Sequence, residues 1–85
     1  MSLDVPDAAH MAFRRGIIAE YHDARQHHDT PAEALDCLID RMIRHLFTMI
    51  VNGSGVPHSL LIMLGECAQW WELAHDGKPL PEELL

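Results

Sequence analysis

Apolar positions along the chain fall into three runs with helical spacing, separated by short polar segments. The middle run is the most completely specified. Leu35, Leu38, Ile39, Met42, Leu46, Met49 and Ile50 recur at steps of three and four, the period of a helix face. Ile43 and Phe47 lie beside this stripe and widen it to roughly half the circumference at ~100° per residue. Glu33, Asp36, Asp40, Arg41, Arg44 and Thr48 occupy the remaining side. Thr30, Pro31 and Glu33 write the start. They form a Thr-x-x-Glu capping box with proline at the first helical position, where no N–H is needed. Asn52-Gly53 writes the stop, because both residues tolerate the left-handed conformation. The pattern predicts a helix over residues 31–51. Its one favourably ordered ion pair, Asp40 to Arg44, contributes only ~0.2–0.5 kcal/mol, so packing must hold it. The apolar face is too wide for one small neighbour to cover.

The first run, Ala9, Phe13, Ile17, Tyr21 and Ala24, predicts a helix over about 5–27. Asp4 is its expected cap, with Pro6 in the first turn and Asp7 favourable at the positive helix end. Gly16 costs up to ~1 kcal/mol relative to alanine unless it admits a close helix crossing. His27-His28-Asp29-Thr30 is short enough to make the first two helices antiparallel neighbours. The third run opens at Pro57 and closes at Asp76-Gly77, predicting a helix over 57–75. Leu60, Leu64, Cys67, Ala68, Trp71 and Ala74 form its expected core stripe, flanked by Met63 and Trp70. Leu61, Ile62 and Leu73 point elsewhere, so this helix is apolar nearly all round, a pattern that demands cover on more than one side. The Pro-rich tail 78–85 is expected to be extended, anchored by Leu80, with one helical turn over 81–85. The fold class is therefore all-α: a helical hairpin plus a third helix, one domain over 1–85, assembling as a dimeric helical bundle.

Composition leaves two readings of the apolar content, a well-packed chain or apolar surface that serves a partner. A chain of 85 residues buries only about 60–65% of its unfolded surface, yet 48% of these residues are apolar. Six basic against 13 acidic residues give a net charge of −7. That balance argues against nucleic acid and anionic membranes and favours a protein with a basic or mixed surface. Cys37 and Cys67 fall within helical patterns, as reduced, partly buried thiols do in the cytoplasm. No basic segment followed by an apolar run opens the sequence, and no stretch approaches ~18 uninterrupted apolar residues. A soluble, cytoplasmic protein is expected.

Candidate chemistry is sparse. Glu20, Asp23 and His27 share a face of the first helix at a spacing that could present metal ligands, but a solvated polar face explains them as well, and no cofactor is predicted. His28-Asp29 and His75-Asp76 are His-Asp dipeptides of the kind HD phosphohydrolases use in much larger helical domains. A helix C-terminus already explains His75-Asp76-Gly77. His45 and Arg41, one turn apart, suggest a pH-sensitive contact at an oligomer interface or plain surface. Cys67 sits beside Glu66, which opposes thiolate formation. The start of the third helix offers no Arg, Lys, Gln or Asn to read bases. A small helical enzyme of the chorismate mutase type needs a cation cluster, and Arg14, Arg15, Arg25, Arg41, Arg44 and Lys78 do not form one at helical spacing.

Trp70-Trp71 carries the most weight. Adjacent tryptophans point about 100° apart, so both are core only at a wide or double interface, and Trp, Met and Phe are enriched at interface cores. The readings are internal core for both, or a dimer or partner surface formed chiefly by Trp70 with Ile62, Met63 and Leu73. The expected interface residues are Ile62, Met63, Trp70, Leu73, Phe47 and Ile50. The function expected is that of a small acidic interaction module, a regulatory adaptor or antagonist of bacterial type that binds another protein, as a homodimer. The alternatives are a metal- or cofactor-binding bundle and a small dimeric helical enzyme.

Overall fold

A computed structural model describes residues 7–85. The chain is all-α, with α1 over Ala8–Arg25, α2 over Pro31–Val51, α3 over His58–His75 and a single 3₁₀ turn over Glu82–Leu84. The expected cap Asp4 and the first-turn Pro6 lie outside the described residues. Within them, the Asp7 carboxylate caps α1 by accepting the His10 N–H at 2.7 Å. The helix also ends two residues before His27. Arg25 turns back to donate to the His28 carbonyl at 2.8 Å, which fixes the connector into Pro31.

α2 has the bounds its pattern predicts. The Thr30 hydroxyl accepts the Glu33 N–H at 3.2 Å, and Pro31 begins the helix. At the far end Gly53 adopts φ 67°. The Ser54 N–H reaches the Met49 carbonyl at 3.0 Å and the Gly53 N–H reaches that of Ile50 at 3.1 Å, the Schellman pattern that satisfies the last free carbonyls. α3 repeats this ending with Gly77, φ 69°, and Lys78 donating to Leu73 at 2.9 Å.

α2 and α3 form an antiparallel hairpin, and α1 lies across both. The molecule measures 36 × 33 × 20 Å, so its thin direction holds two helices and no third. The core between the layers is Ile17, Tyr21 and Ala24 of α1, Ala34, Leu35, Leu38 and Met42 of α2, and Leu60, Met63, Cys67 and Trp70 of α3. Leu84 of the tail completes it at 4% exposure. Leu80, half-buried, packs against that core as the sequence suggests. Leu84 is the larger anchor.

The rotation of α3 differs from expectation. Met63 and Trp70 are in the core, while Trp71 and Ala68 are exposed. An all-round apolar helix has no unique inward stripe, so polar ties decide its rotation. On one side Glu66 meets Arg14 of α1, and Ser59 meets His10 at 3.0 Å. On the other the Trp71 indole N–H donates to Asp36 of α2. Satisfying that N–H holds Trp71 at the rim.

Candidate functional site

The sequence-predicted interface residues do not form one surface. Met63 and Trp70 are fully buried against the chain's own helices, which corrects their placement on a partner surface. Leu73 is half-buried. Ile62 is exposed beside Met11 and Arg14, on the α1–α3 edge. Phe47 and Ile50 are 66% and 60% exposed on the other side of the hairpin.

Around Phe47 and Ile50 a second apolar face is built. At about 100° per residue, Asp36, Ile43, Phe47 and Ile50 occupy an arc of about 60° on α2. Leu61, Leu64, Ala68 and Trp71 occupy one of about 80° on α3. The Asp36–Trp71 hydrogen bond joins the two arcs, so they border each other across the hairpin, on the face that α1 does not cover. Ile43 and Leu61 are 51% and 50% exposed, and Trp71 37%. Val51, 66% exposed, extends the patch past the rim of α2.

The charges are distributed unevenly around this face. Residues 41–65 contain no Asp or Glu, and all 13 acidic residues lie outside them. That stretch is the tip of the hairpin, and it carries Ile43, Phe47, Ile50, Val51, Leu61 and Ile62 among the exposed large apolar side chains. Arg44 and His58 border it. Toward the opposite end stand Asp36 and Glu72. Asp40 holds Arg44 at 2.9 Å within α2. Asp36 is shared by Trp71 and by His75, whose ring lies 4.1 Å from the Trp71 ring. The acid-free stretch was a readable sequence signal; reading charge as a whole-chain balance passed over it.

Elsewhere the candidates disperse. Glu20, Asp23 and His27 are all exposed, and α1 stops before His27, so their helical register is broken. Among the described residues no three His, Cys, Asp or Glu side chains gather as metal ligands. Arg41 and His45 face α1 rather than the open face, lining a cleft with Phe13, Ile17 and Glu20. Cys67 is buried with its Sγ 3.8 Å from the Met42 Sδ. Burial, with Glu66 adding to it, pushes its thiol up to about 12, the reverse of what a nucleophile needs. Cys37 is half-buried, and both cysteines are free thiols.

Arg14 has a role that spacing alone did not reveal. Its guanidinium forks between Glu66, at 2.9 to 3.1 Å, and Glu83, at 2.5 and 2.8 Å. Hydrogen bonds from both carboxylates hold the Arg14 pKa above the usual arginine range. The same bonds pull the Glu83 carboxyl below the usual carboxylate range. His22 meets the Glu83 carbonyl oxygen at 2.9 Å. This node straps the tail onto α1 and is structural in geometry.

No protein-family model, curated protein or solved structure matches the chain. Among the described residues no helix is long and apolar enough to cross a membrane.

Proposed function

We propose that this chain is a small protein-interaction module, a regulatory adaptor or antagonist without catalysis of its own. It acts by burying the apolar α2–α3 face against another polypeptide in the cytoplasm. The observation that carries the reading is the contiguity of Ile43, Phe47, Ile50, Leu61 and Trp71 on a face left bare by α1. Scattered exposed apolar residues are ordinary, whereas a contiguous patch across two helices marks a contact surface.

Energetics set what the partner must offer. The exposed portions of these five side chains amount to roughly two and a half whole ones, or about 4–8 kcal/mol on burial. Association itself costs about 4–15 kcal/mol. One such face against a polar surface therefore gives little net affinity, whereas two apolar faces of this size, about 8–16 kcal/mol together, can exceed that cost.

The test is native mass spectrometry of the tagged chain recovered from its own cells, beside the variant Phe47→Asp/Ile50→Asp. A bound polypeptide, of the same or another sequence, is expected on the wild type and absent from the variant. A wild type that carries no polypeptide refutes the reading.

A further inference from the structure

We infer that the occupant of the α2–α3 face is a second copy of this chain, packed antiparallel across a two-fold axis. This deepens the interaction reading and rests on it. Two observations single out the second copy. The partner must bring an apolar face of matching width, and the hairpin itself is such a face, two helices wide. A two-fold contact uses one patch twice, so each bare face covers the other and a four-helix layer results.

The second observation is the polarity of the hairpin. Its tip lacks acidic residues over 41–65 and carries Phe47, Ile50 and Leu61. Its other end carries Asp36 and Glu72 beside Trp71, while Asp40 and Arg44 neutralise each other at mid-helix. An antiparallel pair lays each tip on the acidic end of the other copy. That places Phe47 and Leu61 toward Trp71 and Ala68 of the second copy, where Ala68 leaves room for large side chains. It also lays the acid-free tip on the carboxylate-bearing end twice. A pair aligned tip to tip would instead bring four carboxylates together at one end, and like charges facing each other across an interface are unfavourable. The overall charge of −7 opposes association of two copies, and the antiparallel arrangement keeps their carboxylates apart at the contact.

The experiment is multi-angle light scattering of the full chain across a dilution series, repeated at low and high salt, with acrylamide quenching of tryptophan in parallel. The expected mass is twice 9.6 kDa, falling on dilution and held to lower concentration as salt screens the net charge. Trp71 is expected to be shielded in the dimer and quenched in the monomer. Phe47→Asp gives a monomer whose helical content is intact, because Phe47 is 66% exposed within one chain. Arg44→Glu, which puts a carboxylate on the acid-free tip opposite Asp36 and Glu72 of the second copy, weakens the dimer about fivefold.

A single-chain mass at every concentration overturns the proposal, as does a dimer that survives Phe47→Asp. An Arg44→Glu chain that dimerises as tightly as the wild type overturns the antiparallel arrangement. If the chain is monomeric but a different polypeptide is found on it in cells, the second copy is wrong and the interaction reading stands. If nothing is bound in either experiment, both fall.

Discussion

Replacing Arg14 with methionine tests how the tail is held. The change keeps an apolar stem over Trp70, whose ring centroid lies 6.0 Å from the guanidinium carbon, and removes both ion pairs at once. The Arg14 side chain is 20% exposed, Glu66 27% and Glu83 43%, so solvent screens the pairs and each contributes about 0.5–1 kcal/mol. The node also positions Leu84, whose full burial is worth about 1.5–3 kcal/mol. Loss of the pairs with partial release of Leu84 amounts to about 2–3 kcal/mol. At roughly 4–8 °C per kcal/mol for a domain of this size, the melting temperature should fall by about 10–20 °C. Thermal unfolding followed by circular dichroism reads the global effect. Hydrogen exchange at the amides of Leu84 and Leu85, which donate to Pro81 and Glu82 at 2.9 and 3.0 Å, reads the strap itself. Glu83→Gln should reproduce the faster exchange with a smaller fall in melting temperature, because Glu66 still holds Arg14. The wild type should show the same release on acidification. The depressed Glu83 carboxyl contributes stability above the unfolded carboxylate pKa of about 4.3, and that contribution is lost as pH falls through its lower folded value. An Arg14→Met chain with unchanged melting temperature and unchanged exchange at Leu84 would refute the strap.

Three further substitutions or reactions have definite outcomes. Gly16 lies within α1, and a Cβ there meets nothing within 4 Å; Gly16→Ala should raise stability by up to ~1 kcal/mol, and a loss measured by urea denaturation would show that this helix needs the glycine. The Tyr21 hydroxyl is buried with no hydrogen-bond partner among the described residues, burial pushes its phenol up and Arg25 opposes that shift; Tyr21→Phe should leave stability unchanged or raise it by about 1 kcal/mol, whereas a loss above that would reveal a bond to the hydroxyl. Thiol titration with a disulfide reagent at pH 8 should label Cys37 in the native chain and Cys67 only after unfolding, because Cys67 is fully buried and its thiol lies at about 12; two fast labels on native protein would contradict the packing of α3.

The sequence by itself determined the local events. Thr30, Pro31 and Glu33 start α2, the Gly53 and Gly77 endings stop α2 and α3, and spacings of three and four mark the three helices. Each of these is settled by residues within one or two turns of each other, so a linear pattern suffices. It also determined that the carboxylates are absent from 41–65. Tertiary structure decided which side of each helix faces in. For α2 the stripe was wide but had a clear centre at Leu35, Leu38 and Met42, and that centre is buried. For α3 the apolar surface had no centre, and the rotation was chosen by contacts from residues distant in the chain, Arg14 with Glu66 and Asp36 with Trp71. Those contacts exchange the expected places of Trp70 and Trp71. They also divide the expected interface into a buried part, Met63 and Trp70, and a bare part, Phe47 and Ile50. The strap of Leu84 under Arg14 and Glu83 joins residues 69 positions apart. Nothing in helical periodicity encodes such a separation, because it is fixed only when the hairpin and α1 have already packed.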